Sequence, residues 1–383
     1  MANLKVDTIS GIGTEGTVFD GGLHFRNKNY LTLPKGNTTQ RISTSSGIST
    51  ETGSIRYNTD SNKMECYIGD KWMQVAVSSP NLGNSAAGVR GLNIAGQSPG
   101  NNVSNSIEFI TISTSGSAAD FGDTTIASHS GAACADSTRG VHFHSHTPSA
   151  TNVIDFVTFA STGNAQDFGD RVFTGSYFGA FGNSTRGIRT GAWGPANRDV
   201  MEFVTIQSTG NSVDFGDLLK NNQCDSCTAS PTRGLIFFGI AAPNTYHSSI
   251  DFVTIATTGN AQDFGDSSLG SAVYGNAGGG NATRGITYGG SPSAPIEYVT
   301  IASKGNTTRF GDLIVTGNST QTRYASVNSS PTRMVICGGY TPAAVEEYYY
   351  INIATEGDFV EFGDVHVTQR KFAGGCSNGH GGL

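Results

Sequence analysis

The chain has 383 residues, of which 36% are hydrophobic, only 14% are charged and 52 are glycine. Soluble domains average about 25% charged residues, and Thr, Ser, Asn, Val and Phe stand here where helices prefer Leu, Ala, Glu and Lys, so a helical bundle is excluded. The formal net charge of -7 comes from 23 basic and 30 acidic residues without a basic cluster, which argues against a nucleic-acid partner. We therefore expect an all-β protein.

The N-terminus, Met1–Asp7, is polar and does not resemble a signal peptide. The longest weakly polar stretch, Gly234–Ala242, is about half of a membrane span, so we expect no membrane insertion. The six cysteines are too few for a disulfide scaffold, and a chain without a secretory signal is expected to carry them as thiols.

Residues 1–80 contain three short strand patterns, Gly53–Tyr57, Lys63–Ile68 and Lys71–Ala76, separated by turn residues. They predict a small β-meander over 53–77. A meander of this size is marginally stable alone. We expect it to be supported by the rest of the chain, by other copies in a homo-oligomer, or by a larger particle.

A repeat follows over 81–383. The triplet Phe-Gly-Asp occurs six times, with spacings of 47, 47, 49, 46 and 52 residues, ending at Asp123, Asp170, Asp217, Asp266, Asp312 and Asp364. Before each triplet, apolar and polar residues alternate, as in Ile154–Phe159, which predicts a half-buried strand. A glycine between the two elements, such as Gly163, predicts a turn with a positive φ.

Two further segments complete each repeat. One is rich in small residues, and the next is a strand that usually opens with Thr-Arg-Gly and carries Arg90, Arg139, Arg186, Arg233, Arg284 or Arg333. Four short strands in about 48 residues are the size of a Kelch-like β-propeller blade. The last repeat ends after its small-residue segment, and Val89–Ile94 supplies the missing arginine strand.

We therefore predict a six-bladed β-propeller closed by strands from both ends of the repeat region, because closure removes open sheet edges. A linear β-solenoid is the alternative. The repeated arginines and Phe-Gly-Asp carboxylates are interpreted as scaffold, because a catalytic site needs its groups only once. Each Asp is expected to accept turn amides or to pair with an Arg.

The segment Gly53–Trp72 resembles a pattern of bacteriophage tail fibres and other virion appendages, Gly-x-Ile-Arg-Tyr-Asn-Thr followed by Glu-x-Tyr-x-Gly-x-x-Trp. Leu4–Ile9 and Leu33–Arg41 resemble the start of structural proteins of marine phages, particularly those infecting cyanobacteria, and the repeats resemble segments downstream in the same group. The sixth repeat departs from the pattern, with Glu361 for Asp and Tyr348-Tyr349 for Ile-Glu. The resemblance implies a virion component that attaches to a host and brings no catalytic, cofactor or metal residues.

Three residue groups are candidate sites. His142, His144 and His146 alternate along one arginine strand, so they project from one face and two of them can share a metal ion, although no carboxylate or Cys lies nearby in sequence to complete the site. Cys224 and Cys227 form a single Cys-x-x-Cys pair that has either a zinc or redox role or a structural one. Cys134 and Cys376 occupy the equivalent segment in other repeats, which favours small buried side chains.

The connections after the arginine strands vary most between repeats and are expected to lie together on one face. They are 97–106, 147–153, 192–199, 241–249, 291–295 and 341–346. Two of them expose a large aromatic residue, Trp193 and Tyr246. Each of these side chains either binds a partner, by stacking on a sugar ring or filling a protein pocket, or packs locally.

Three classes of function remain open. The first is a non-enzymatic virion protein, assembled in the host cytoplasm, that binds other virion proteins through residues 1–80 and a host surface glycan or protein, or another virion protein, through the propeller. The second is a glycan-cleaving propeller, which needs unique acid and nucleophile carboxylates where the sequence shows repeated ones. The third is a cellular scaffold, which residues 1–80 argue against. The sequence indicates no cofactor.

Overall fold

The structure is a computed structural model, and it describes residues 33–41, 52–61, 63–74, 89–147, 149–194, 199–223, 226–241, 245–270, 272–291, 295–312, 323–341, 343–366 and 369–383. The chain divides into two compact units, Met1–Ser79 and Pro80–Leu383. The described residues form β-strands joined by turns, with short 3-10 helices at Thr38–Gln40 and Pro99–Asn101. The predicted all-β class is confirmed. Across these ranges no helix has the length and apolar character needed to cross a membrane.

The N-terminal unit contains one sheet of four strands. Their order is Lys35–Gly36, Ile55–Asn58, Lys63–Ile68 and Lys71–Gln74. The last three are antiparallel neighbours. They confirm the predicted meander, with bounds that differ by no more than two residues. The first strand pairs in parallel with the second, a contact between distant residues that strand patterns do not predict.

A buried carboxylate organises this small sheet. Glu65 is fully buried. It accepts hydrogen bonds from Arg41 Nε at 3.1 Å and from Asn58 Nδ2 at 2.8 Å. The Arg56 guanidinium lies 5.8 Å from the centre of the Trp72 ring. Residues of the appendage-like pattern therefore hold this unit together, since a buried carboxylate requires such partners.

The described residues of the second unit form six large sheets, numbered 1 to 6 by chain order of their arginine strands. Sheets 2 to 6 have four strands each, and sheet 1 has a fifth, Gln97–Ser98. The arginine strands are Arg90–Ile94, Arg139–Phe143, Arg186–Thr190, Arg233–Ala241, Arg284–Tyr288 and Arg333–Cys337. The alternating strands are Asn102–Thr111, Val153–Thr158, Val200–Thr205, Thr245–Thr254, Ile296–Thr300 and Glu347–Asn352. The Phe-Gly-Asp strands are Ala119–Ser128, Gln166–Asp170, Val213–Asp217, Gln262–Asp266, Thr308–Gly311 and Val360–Asp364. The small-residue strands of sheets 1 to 6 are Gly374–Ser377, Ala132–Ala135, Gly179–Gly182, Ser226–Ala229, Ala277–Gly280 and Ser326–Ser329.

Within each sheet the order is small-residue, arginine, alternating and Phe-Gly-Asp strand, and all neighbours are antiparallel. The four-stranded repeat unit is thus confirmed. In sheet 1 the small-residue strand comes from the C-terminal end of the chain, and Gly374 pairs with Ile94. The small-residue strands contact one another in the order of the sheets, and that of sheet 6 also contacts that of sheet 1.

Asn378 makes in sheet 1 the hydrogen bond that forms within a single turn of the chain in the other sheets. In the other sheets, a residue after the small-residue strand accepts the backbone N–H of the arginine three positions later, as Asn281 does for Arg284. In sheet 1, Asn378 Oδ1 accepts the N–H of Arg90 at 2.9 Å although 288 positions separate the two residues. The two ends of the repeat region therefore meet through the same hydrogen bond that the chain makes locally elsewhere.

Neighbouring sheets pack by pairing a small residue of one sheet with a larger residue of the other. The glycine after each arginine faces a larger residue in the small-residue strand of the preceding sheet, and a Cβ on Gly234 would lie 1.9 Å from the Phe181 ring. Sheet 6 has Met334 in place of this glycine. The residue that faces Met334 in sheet 5 is Gly279. The exchange of large and small residues explains why Met334 departs from the repeat.

The six arginines link each sheet to the next. Each donates from Nη1 to a backbone carbonyl just beyond the alternating strand of the following sheet, at 2.6–3.4 Å, and Arg333 of sheet 6 donates to Ile112 of sheet 1. Each guanidinium also lies over an aromatic ring of its own sheet, 4.5–5.2 Å from the ring centre. The arginines are structural, as predicted, but their partners are carbonyls rather than the Phe-Gly-Asp carboxylates.

The Phe-Gly-Asp triplets act mainly through their backbone. The turn glycine of the following sheet donates its N–H to the triplet Phe carbonyl, as Gly163 does to Phe121 at 2.7 Å. The N–H of the triplet Asp donates to the side chain after that glycine, as Asp170 does to Asn211 at 3.0 Å. In the described residues, Asp312 is the triplet Asp whose carboxylate has a hydrogen-bonded partner, Arg309. The expectation that the carboxylates accept turn amides is therefore replaced by a backbone role.

Two of the expected loops are instead extensions of strands. In 97–106, Gln97–Ser98 pairs with Asn102 and Val103 around a 3-10 turn. In 241–249, the pairing of Arg233–Ala241 with Thr245–Thr254 reaches Ala241 and Thr245. His146–Thr147 with Ser149–Ala150 and Tyr340–Thr341 with Ala343–Ala344 form two short hairpins in other connections. Sequence variability predicted these segments as loops, but hairpin pairing satisfies their backbone groups.

Candidate functional site: an aromatic cavity beside the small-residue strands

Buried carboxylates recur in five of the six sheets. They occupy the second position of the alternation and are Glu108, Asp155, Glu202, Asp251 and Glu297, while sheet 6 has Tyr349. Each accepts hydrogen bonds from the segment that follows the Phe-Gly-Asp triplet of the preceding sheet, as Asp155 does from the Thr125 N–H at 2.8 Å. Their repetition and their partners make them connectors between sheets.

His144 lies in a buried chain of three polar side chains. Its Nδ1 is 2.6 Å from Ser128 Oγ, and its Nε2 is 2.8 Å from Asp155 Oδ2. These residue types resemble a nucleophilic triad, but in the usual arrangement the acid bonds Nδ1 and the serine bonds Nε2. Ser128 is fully buried, so its hydroxyl has no access to a substrate. The chain serves as an internal hydrogen-bond network.

The three histidines considered as a candidate metal site have different partners. His142 packs against His144 with ring centres 4.4 Å apart, and burial lowers the pKa of His142 well below its usual value. His146 lies instead beside His129, with ring centres 5.0 Å apart. The described ranges contain no group of three or more His, Cys, Asp or Glu side chains placed to hold a metal ion.

The described cysteines of the second unit are buried. Cys134 and Cys376 lie in small-residue strands as predicted, and both are buried free thiols. Burial raises the pKa of Cys376 to about 12, which keeps it protonated. Cys227 is also buried, while Cys224 lies outside the described residues, so the Cys-x-x-Cys pair stays a prediction.

Six equivalent positions, here called the rim positions, lie three residues before the small-residue strands. In sheets 1 to 6 they are Lys371, His129, Ser176, Gln223, Tyr274 and Arg323. Each pairs through its backbone with a residue of its own sheet near or beyond the end of the arginine strand: Gln97, His146, Trp193, Ile240, Ser291 and Tyr340. The backbone pairing repeats in every sheet. The side chains do not repeat: the six rim positions hold six different residue types, and so do their six partners. Divergence at a geometrically repeated position is the opposite of what scaffold residues show.

The residues that follow the rim positions form a belt of backbone hydrogen bonds. Tyr177 donates to Ser130, Ser130 to Phe372, Phe372 to Tyr324, and Tyr324 to Gly275, at 2.8–3.1 Å. All five have φ between +57° and +67°. For an aromatic residue this conformation costs about 1–3 kcal/mol and persists where the surrounding structure imposes it, commonly at binding sites.

A cavity of 430 Å³ opens at this belt. It is lined by His129, His146, Tyr177, Trp193, Gln223, Ile240, Tyr274 and Tyr324. Its volume lies in the range of small-ligand sites, about 300–1,000 Å³, and its combination of aromatic faces with a few polar groups is typical of such sites. We call it the aromatic cavity. Six of its lining residues are rim positions or their backbone partners.

Both aromatic residues predicted from the variable connections are at this site. Trp193 lines the cavity and remains 52% exposed. Tyr246 is 43% exposed and stacks on the lining residue Tyr274, with ring centres 5.3 Å apart. The sequence analysis missed six lining residues: His129, Tyr177, Gln223, Ile240, Tyr274 and Tyr324. Aligning the six repeats and searching for the most divergent position near each small-residue strand is the signal that finds the rim positions among them.

The electrostatics of the site combine a neutral histidine with two nearby cations. Burial, followed by the charges of His146 and Lys371, lowers the pKa of His129 to about 4. Arg323 lies over Tyr274, Tyr324 and Tyr340 at 5.0–5.8 Å, and its Nη1 donates to the Tyr274 hydroxyl at 2.7 Å. Burial, and then the charge of Arg323, lower the pKa of Lys371.

Beyond the belt, a smaller central cavity of 70 Å³ is lined by residues of all six small-residue strands together with His380 and Gly381. The Nε2 of His380 lies 2.7 Å from the Ala135 carbonyl. The last residues of the chain therefore occupy one end of this space. The aromatic cavity, at 430 Å³, is the wider of the two and has the volume of a small-ligand site.

A comparison with known proteins finds that the sequence matches no family model and no curated protein. The candidate function therefore depends on the sequence pattern and on the geometry of the aromatic cavity.

Proposed function

We propose that residues 80–383 form a closed six-bladed β-propeller that serves as a rigid binding module. Three sets of contacts support closure: two continue from sheet 6 to sheet 1, and the third joins the two ends of the repeat region within sheet 1. Arg333 donates to Ile112, the N–H of Gly116 donates to the Phe362 carbonyl, and Gly374–Ser377 pairs with Arg90–Ile94. A linear solenoid would leave these ends apart and expose two sheet edges.

The module binds its partner at the aromatic cavity. The observation that carries this proposal is the divergence of the rim positions on a backbone that repeats six times. Scaffold requirements explain repeated residues, whereas a binding face requires side chains that differ around the mouth of the site. Exposed Trp193 and Tyr246 supply large, rigid contact surfaces at low entropic cost.

We further propose that the protein is a component of a phage virion, such as a tail fibre or another appendage, and that residues 1–80 attach it to other virion proteins. The support is the resemblance of Gly53–Trp72 to virion appendages, together with the small size of the N-terminal sheet. Several copies on one particle would raise the overall affinity for a surface even where each copy binds weakly.

The test uses the purified full chain and its Trp193→Ala variant, with adsorption to cyanobacterial cells and binding to particles lacking this protein as the two measurements. Val213→Ala is the control, because Val213 is an exposed apolar residue in a Phe-Gly-Asp strand and does not line the cavity. Adsorption to cells that Trp193→Ala weakens and Val213→Ala does not would support host binding.

Binding to particles but not to cells, with the cavity covered by neighbouring virion proteins, would replace host binding with a structural role in the particle. Release of reducing ends from a bound polysaccharide would instead favour the glycan-cleaving alternative. Binding to neither cells nor particles would contradict the proposed function.

A further inference from the structure

The aromatic cavity combines two kinds of surface that seldom occur together by chance. The first is aromatic: Trp193 and Tyr274 line the cavity, and aromatic faces suit the apolar face of a sugar ring. The second is cationic: the Arg323 guanidinium lies beside the cavity, 5.8 Å from the centre of the Tyr274 ring and 5.5 Å from that of Tyr324. The second cation, Lys371, lies 4.7 Å from the centre of the Tyr340 ring and 5.5 Å from that of Phe372.

These two cations are close together and lack a carboxylate partner. Among the described residues, neither Arg323 nor Lys371 forms a salt bridge. Within the described part of the chain, the residues that line the cavity include no acid. The lowered pKa of Lys371 reflects burial and repulsion by Arg323, which an anion between them would relieve.

The positions of the cations point to a binding role rather than a structural one. Arg323 and Lys371 are rim positions of adjacent sheets, 6 and 1, and no other rim position carries a positive charge at neutral pH, because the pKa of His129 is lowered to about 4. Neither cation lines the cavity, but Arg323 contacts the lining residues Tyr274 and Tyr324. The positive charge of the rim therefore lies beside these two lining residues.

We propose that the aromatic cavity binds an acidic sugar residue of a glycan, with the ring on Trp193 and Tyr274 and the acidic group on Arg323 and Lys371. The inference rests on the proposed function and specifies its ligand. A carboxylate of a uronic acid and a sulfate ester both offer an anion to a guanidinium and an ammonium, and the geometry of Arg suits paired oxygens. The shared chemistry is an anionic substituent on a pyranose ring.

The experiment measures binding of the full chain to three oligosaccharides of matched length by calorimetry: a galacturonic acid oligomer, a sulfated galactan oligomer and the neutral cellohexaose. Trp72→Phe leaves Trp193 as the one tryptophan, so its fluorescence reports directly on the cavity. We expect an acidic oligomer to bind roughly tenfold or more tightly than the neutral one and to change the emission of Trp193. The carboxylated and sulfated arms distinguish the two sources of negative charge.

The variants distinguish the contribution of the sugar ring to binding from that of its negative charge. Arg323→Gln and Lys371→Gln are each expected to weaken binding of the acidic oligomer by about fivefold and to leave neutral binding unchanged, because each removes one charged contact. Trp193→Ala should weaken both. Lys304→Gln is the matched control, because Lys304 is an exposed lysine in the turn of sheet 5 next to Gly305 and does not line the cavity.

Equal affinity for neutral and acidic oligomers, or binding of the acidic oligomer that Arg323→Gln does not change, would overturn the inference. Adsorption to cells that depends on Trp193 but is not competed by either acidic oligomer would overturn it while the proposed function stands. Absence of adsorption to both cells and particles would contradict the proposed function itself, and binding of the oligomers would still decide the ligand chemistry of the cavity.

Discussion

A single methyl group decides whether neighbouring sheets of this protein can approach each other. A Cβ added to the middle glycine of any Phe-Gly-Asp triplet would lie 2.2–2.5 Å from the carbonyl oxygen of the turn glycine in the following sheet. A contact this short forces the two backbones apart. The triplet glycine is therefore required by the neighbouring sheet and not only by its own φ.

The paired variants Gly169→Ala and Gly210→Ala test this requirement. Gly210 has φ +151° and open space where its Cβ would lie, so its substitution should cost about 1–3 kcal/mol of unfolding free energy through backbone strain alone. Gly169 has φ +146° and also faces the Gly210 carbonyl at 2.5 Å. The Gly169→Ala substitution should therefore lower the free energy of unfolding by at least about 1 kcal/mol more than Gly210→Ala does. Urea denaturation measures both, and equal losses would contradict a role in sheet packing.

His129 makes the stability depend on pH. Its pKa is about 4 in the folded protein, against about 6.5 in an unfolded chain. Between these values the unfolded chain binds more protons, so the free energy of unfolding falls as the pH is lowered from 6.5 to 4. His129 contributes up to about 3 kcal/mol to this fall. His129→Gln should flatten the dependence measured by denaturation at several pH values; an unchanged slope would exclude His129 as its source.

At the scale of the strands, the sheets are joined by complementary sizes. Gly234 of the sheet 4 arginine strand faces Phe181 of the sheet 3 small-residue strand. Between sheets 5 and 6 the sizes are exchanged, and Gly279 faces Met334. A repeated motif can therefore change at one position when its neighbour changes in the opposite sense. This coupling explains a departure that looks random along the sequence.

A double-mutant cycle on Gly234 and Phe181 tests the coupling. Gly234→Ala should be strongly destabilising because its Cβ would overlap the phenyl ring, and Phe181→Ala should cost about 3–5 kcal/mol through the cavity that it leaves. The double variant should lose less than the sum of the two, by about 1 kcal/mol or more, since the new methyl group then occupies vacated space. Additive losses in thermal or urea unfolding would show that the two residues do not share this space.

For the whole molecule, the contact between the two ends of the repeat region is the feature on which closure depends. Deleting residues 374–383 removes the small-residue strand of sheet 1 and leaves Arg90–Ile94 as an open edge. We expect a lower melting temperature and self-association, because an unpaired strand edge binds other chains.

Deleting only residues 380–383 keeps that strand and the hydrogen bond between Asn378 and Arg90, so it should have a smaller effect. Light scattering and thermal melting compare the two truncations with the full chain. A 374–383 deletion that stays monomeric and melts like the full chain would argue against a closed architecture.

Strand number, strand order and the pairing of the two ends were predictable from the sequence alone. Apolar alternation and turn glycines are local properties of the sequence. One copy of each pattern identifies a strand or a turn only weakly, but six matching copies support the same assignment. The positions of Trp193 and Tyr246 in variable connections were likewise readable, because variation among internal repeats marks what the scaffold does not require.

The partners of these residues were decided only by the tertiary structure. The arginines contact carbonyls about 70 residues away, and the turn glycines reach the triplet of another sheet. His129, Gln223 and Tyr274 line one cavity although they are widely separated in sequence. The physical reason is that strand patterns report which side of a sheet is buried, whereas packing between sheets depends on shape and hydrogen bonds between residues that only folding brings together.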